Sequence, residues 1–169
     1  MKADNNPEQT KDYITEIHNK SHNMIIAMDD MLWSIDPAND SMGKVLDRMK
    51  EFSDALQNRH DADIDVNADP RIFPLKPDMR TRYELVIIYK LALRMLIEQM
   101  KAQHTVVQLD YERSNLQMTI FSNNSTLPEN NTTTKAMITT METNAAAINA
   151  SFNIHSDEKK TVITMGLRL

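Results

Sequence analysis

Chemistry in a protein needs a nucleophile, an acid–base pair, a set of metal ligands or a cradle for phosphate, and this chain offers few candidates. Its five histidines are His18, His22, His60, His104 and His155. His18 and His22 stand four apart, a spacing that on a helix puts both imidazoles on one face and can hold a metal ion. No carboxylate or third imidazole joins them at fixed spacing, so solvated helix-face histidines are the plainer expectation. His18 as a phosphoacceptor is equally weak, because Asn19 follows it where such sites carry an acidic residue.

The acidic run Asp61, Asp63, Asp65 and Asp69 surrounds a short apolar alternation. Its first three members mimic the start of an EF-hand loop, which also needs glycine at its sixth position and glutamate at its twelfth. Val66 and Ile72 stand there instead. The run reads as a solvated strand edge that discourages aggregation, and no calcium is expected. The Asn-x-Ser/Thr patterns at Asn123, Asn124, Asn130 and Asn131 report a polar loop. No local signature supports a Ser/His/Asp arrangement.

Composition closes several further routes. Of 169 residues only Gly43 and Gly166 are glycine, where average usage would give about twelve. That scarcity argues against phosphate cradled on a glycine loop. The absence of cysteine excludes disulfides, thiolate metal sites and cysteine nucleophiles. A net charge of -5, mixed along the chain, gives no nucleic-acid surface. No apolar run reaches the roughly 18 residues of a membrane span, and the polar N-terminus is no signal peptide. A cytoplasmic domain is the expectation, as a protein in itself or as the cytoplasmic part of a larger membrane-anchored sensor.

These side chains need elements to place them. Residues 1–9 read as a disordered start. From about Gln9 to Leu32 the pattern is helical, with Ile14, Ile17, Ser21, Met24, Met28 and Met31 in the 3-4-3-4-3 spacing of a coiled-coil or bundle seam. Pro37 stops that helix, and Asp40 or Ser41 caps a second amphipathic helix over 42–58. A short strand lies within DADIDVNAD, and residues 79–102 form a central, buried helix. A hairpin around Arg113-Ser114-Asn115, a loop over 122–134, a helix over 135–150 and a second hairpin around Asp157-Glu158-Lys159 complete the chain. The order predicts an α+β fold, a two-layer sandwich whose mixed sheet is covered on one face by helices, with a long N-terminal helix.

The run MDDMLWSIDPANDSMGKVLDRMKEFSDAL, residues 28–56, resembles the junction of bacterial two-component sensor histidine kinases of the NarX/DesK-like class. In these kinases a dimerisation helix ends there and the ATP-binding domain begins. Trp33, Pro37, Asn39, Asp40 and Ser41 carry the match, and the resemblance extends with declining similarity over residues 10–169. It implies a dimerisation-type helix and junction at 10–40, and at 41–169 a sandwich of the GHKL ATPase type. The family's phosphoacceptor helix would precede residue 10.

The same resemblance marks what is lost. The family's central helix carries a Glu and, four residues on, an Asn that holds magnesium, often followed by His. Those positions hold Leu91, Met95 and Gln99, and neither leucine nor methionine ligates a hard cation. The Asp-x-Gly-x-Gly box that reads adenine falls on Ser122, Asn124 and Thr126. The second glycine box falls near Thr134, Lys135, Ala136 and Met137. The expectation is a signalling module of kinase descent with no catalytic residue, cofactor or metal of its own. It would act through a homodimer built on the N-terminal helix, or through a partner protein. The alternatives are a working ATP-binding domain with a divergent pocket and a small-ligand sensor that reuses the old cavity.

Overall fold

The computed structural model describes residues 7–123, 127, 131–157 and 159–169, except for the side chains of residues 7–9, 19, 22 and 23. Helix α1 (Pro7–Ile35) leads into a short 3-10 turn (Pro37–Asn39) and helix α2 (Met42–Gln57). Strand β1 (Asp63–Ala68), helix α3 (Met79–Arg94) and a terminal wide turn (Met95–Gln99) follow. Strands β2 (His104–Glu112) and β3 (Asn115–Asn123), helix α4 (Thr132–Ala147), and strands β4 (Ser151–Ser156) and β5 (Lys160–Arg168) complete the chain. The sheet order is β1-β2-β3-β5-β4, with β1 parallel to β2 and every other pair antiparallel. The single parallel pair is the one that α3 connects, as a parallel step needs a crossover.

One face of the sheet carries the core. Burial alternates along β2, β3 and β5, so Val107, Leu109, Met118, Ile120, Ile163 and Met165 face the helices. Opposite them lie Val45 and Met49 of α2, and Leu85, Ile88, Tyr89 and Ala92 of α3. Each fully buried aliphatic side chain contributes about 1.5–3 kcal/mol relative to exposure. The Tyr89 hydroxyl is satisfied inside this core by Ser53 on α2, and burial pushes it up to about 12.

Capping residues set the starts of the elements. The side chains of Ser41, Asp78 and Asn131 accept from the backbone N–H of Lys44, Thr81 and Thr134 at the first turns of α2, α3 and α4. The Asn131 cap explains one difference from the pattern-based reading: α4 begins at Thr132, although three consecutive threonines read as loop. Likewise α1 is helical from Pro7 rather than from about Gln9. Proline fits a first helical turn because its missing N–H has no partner there anyway.

The central helix ends sooner than residue 102. Met100 donates to the Met95 carbonyl at 3.0 Å, five residues back, and Lys101 adopts a left-handed φ of 57° that closes the helix. The first hairpin turns on Arg113 and Ser114 alone, with φ of 51° and 65°, so Asn115 belongs to β3. The second hairpin is closed by Asp157, whose Oδ1 accepts from the N–H groups of Lys159 and Lys160.

Candidate functional site

The positions singled out on the central helix lie where α3 widens. Leu91 is half-buried against the core, and Met95 is 0% exposed. Gln99 sits at the end of the wide turn, where its Oε1 accepts from Asn131 Nδ2 at 3.5 Å, tying the turn to the start of α4. Helical spacing puts Leu91 and Met95 on one face, on which Met95 is fully buried and Leu91 half-buried.

Ser122 is fully buried near the end of β3, with its hydroxyl donating to the His104 carbonyl at 2.8 Å. It belongs to a row of hydroxyl side chains on the helix-facing layer. Thr105, Ser122, Thr161 and Ser156 are register partners across β2, β3, β5 and β4. Ser156 Oγ lies 2.8 Å from Thr161 Oγ1 and accepts from the Leu127 N–H at 3.2 Å. Asn124 and Thr126 fall outside the described residues, as do residues 125 and 128–130 of the loop expected over 122–134. Thr134, Lys135, Ala136 and Met137 are the opening turns of α4, with Thr134 buried.

The remaining titratable candidates are distributed over the surface. His18 is exposed on α1, and His22 has no described side chain to pair with it. His60 Nε2 lies 3.6 Å from Glu98 Oε1, joining the region after α2 to the wide turn. His104 faces Asp63 across the β1–β2 register, Nδ1 to Oδ2 3.1 Å, with Asp65 Oδ2 4.0 Å from Nε2. Among the described residues these three are a group whose ligand atoms lie within 4.8 Å of one another, and all three are exposed. Asp69 instead pairs with Arg71, whose guanidinium and backbone N–H hold its carboxyl down at about 2. Together with Asp110, Tyr111, Glu112, Arg113, Asn115 and Gln117 these two line an open concavity of about 570 Å³ at the hairpin tip. That is the opposite end of β3 from Ser122.

The stripe on α1 is laid bare. Ile14, Ile17, Met24, Met28 and Met31 are all more than half exposed, and Ser21 is exposed beside them. Ile25, Leu32 and Ile35 widen the stripe beyond the predicted seam. Among the described side chains of α1, those withdrawn from solvent are Ile26, Asp30, Trp33 and Ser34, towards its C-terminal end. Pattern reading missed the residues that receive it. Asp30, 2% exposed, accepts from Lys90 Nζ at 2.5 Å and Arg48 Nη2 at 3.0 Å. Arg82 is buried and donates to the carbonyls of Ser34 and Pro77. The signal was present in the sequence only as an acidic residue outside the apolar stripe.

No family model and no curated protein matches this sequence. Solved structures do match it. The histidine kinase AdeS of Acinetobacter baumannii superposes with a TM-score of 0.64 at 10% identity, over 99% of this chain and 86% of its own. The blue-light activated histidine kinase EL346 of Erythrobacter litoralis gives 0.63 at 14% identity, over 93% of this chain. The catalytic domain of histidine kinase ThkA gives 0.58 at 9% identity, over 72% of this chain and 91% of its own. The chain spans 57% of the EL346 chain, and 59% of the chain holding the histidine kinase domain of that protein. Among the described residues no helix is long and apolar enough to cross a membrane. The five-stranded mixed sheet under its helices matches these histidine kinase domains, and this chain has their fold.

Proposed function

We propose that this chain is a histidine-kinase-like signalling module that has given up nucleotide chemistry and works by protein contact, chiefly self-association through α1. The observation that carries this reading is the complete burial of Met95, at the position where the resemblance places the magnesium-binding asparagine. Phosphoryl transfer depends on a metal ion and fixed donors that neutralise the phosphates, and magnesium takes oxygen ligands. A thioether packed in the core supplies neither. Ser122 supports the same reading, because its hydroxyl is committed to the His104 carbonyl where the family's adenine-reading carboxylate would stand. Two glycines in the whole chain leave no glycine-rich loop to wrap phosphate.

What remains functional on this reading is surface. The apolar stripe of α1 is the kind of contiguous patch that soluble monomers rarely expose. Calorimetric titration with ATP and magnesium tests the loss of nucleotide chemistry, and no binding is expected. A dissociation constant below about 100 μM, roughly -5.5 kcal/mol, would overturn the reading and favour a divergent but working kinase domain.

A further inference from the structure

Strand β1 lies at the edge of the sheet and pairs only with β2, in parallel register. Asp63 stands opposite His104, and Asp65 follows two residues on. Side chains alternate across a strand, so these three share the face that looks away from the helices. Their neighbours Ile64 and Thr105 are buried on the other face. His104 Nδ1 lies 3.1 Å from Asp63 Oδ2, and its Nε2 lies 4.0 Å from Asp65 Oδ2. One ligand atom from each of the three falls within 4.8 Å of the others.

The two carboxylates stand apart from most other aspartates of the chain. Asp29, Asp30, Asp40 and Asp69 each face a lysine or an arginine. Asp36, Asp78 and Asp157 accept from backbone N–H groups. Among the described residues, the one charged partner of Asp63 and Asp65 is His104. Two carboxylates around a single imidazole leave net negative charge whichever protonation state the ring adopts. A divalent cation removes that excess and takes all three groups as ligands.

The spacing and the donor atoms select the kind of ion. Ligands bound at about 2.0–2.2 Å to a tetrahedral ion lie roughly 3–3.5 Å from one another. The His104–Asp63 pair already has that separation, and rotation of the exposed Asp65 side chain closes the rest. One nitrogen with two oxygens suits a first-row transition ion, whereas magnesium and calcium take oxygen ligands throughout. Local spacing in the acidic run could not disclose this set, because His104 is 41 residues from Asp63 in sequence.

We propose that Asp63, Asp65 and His104 form a surface site for a divalent transition ion of the zinc type, with water in its open coordination positions. The bound ion cross-links β1 to β2 and so steadies an edge strand that has a single neighbour. The site is on the outward face of the sheet, whereas Leu91 and Met95 are on α3 against the inward face. It is therefore independent of whether the chain binds nucleotide or self-associates.

Calorimetric titration of the whole untagged chain with zinc chloride alone tests the site. One ion per chain is expected, with a dissociation constant below about 50 μM. His104→Gln, and separately Asp63→Asn with Asp65→Asn, should weaken binding at least about tenfold. All three residues are exposed, so these variants are expected to fold as the parent does. His18→Gln with His22→Gln, which removes the histidine pair of α1, should leave the affinity unchanged. Cobalt(II) at less than one equivalent should broaden the amide NMR signals of residues 62–66 and 103–106 first. Zinc binding weaker than about 50 μM overturns the site. So does affinity retained in His104→Gln, affinity lost with His18 and His22, or broadening centred on another element. Magnesium chloride binding as tightly as zinc would overturn the assignment of a nitrogen ligand.

Discussion

At the scale of single residues, two positions where the resemblance places the nucleotide site hold apolar side chains that pack on the core. Met95 is enclosed on all sides, and Leu91, one turn earlier, rests half-buried on the same core. Restoring the family's residue types with Leu91→Glu and Met95→Asn would strip out this contact and bury an amide with no partner. Lost burial at Met95 is worth about 1.5–3 kcal/mol, and an unsatisfied buried polar group adds about 1–3. The double variant is expected to unfold at lower urea concentration than the parent, by about 3–5 kcal/mol. It should still not bind ATP, since no glycine box is rebuilt. A double variant that melts no lower than the parent would show that this face is not part of the core.

Elements in this chain are held in shape by caps and by strained backbone that glycine would normally relieve. The β2–β3 hairpin is joined by two residues, both with positive φ, which is the geometry of a type I′ turn. That turn favours Asn-Gly, whereas Arg113 and Ser114 carry side chains that disfavour the left-handed region. Arg113→Asn with Ser114→Gly is therefore expected to stabilise the fold by about 0.5–1 kcal/mol, read as a higher urea midpoint at unchanged slope. The tip carries no core contact to lose, because Arg113 and Ser114 are exposed. The wide turn at Met95–Gln99 is a second local irregularity. Its displaced register lets Gln99 reach Asn131 while Met95, Leu96 and Ile97 all remain buried.

For the whole molecule, the sandwich and α1 have opposite surface economies. The sandwich buries one sheet face and leaves polar residues outside, while α1 displays Met24, Ile25, Met28, Met31 and Leu32 to solvent. Self-association through this stripe is expected to give a dimer in sedimentation at tens of micromolar protein, on the order of the affinity a single helix pair supplies. Met28→Asp, at the centre of the stripe and 61% exposed, should shift the protein to monomer without lowering its melting temperature. A monomer at high concentration that Met28→Asp leaves unchanged would refute the self-association reading. The residues that fix α1 on the sandwich are on its other face, so the stripe can be perturbed without touching them.

The sequence by itself determined the element order, the alternation that buries one sheet face, and the α1 stripe, because these are set by periodicity and by residues such as Pro37 and Ser41. It also bounded the chemistry, since missing cysteines and glycines need no structure to be counted. The identity of the fold was legible through the junction at residues 28–56, and its likeness to solved histidine kinases agrees. Tertiary structure decided what periodicity cannot express. The cap at Asn131 overrode a threonine run that reads as loop, and a five-residue hydrogen bond ended α3 before its apolar pattern did. The burial of Asp30 between Arg48 and Lys90 depends on three elements meeting, 18 and 60 residues apart in sequence, and leaves no local trace. The register that lines Ser122 up with Thr105 and Thr161 is likewise a property of the assembled sheet. Local rules choose the elements, but pairing distant charges and hydroxyls depends on how desolvation and packing are shared across the whole fold.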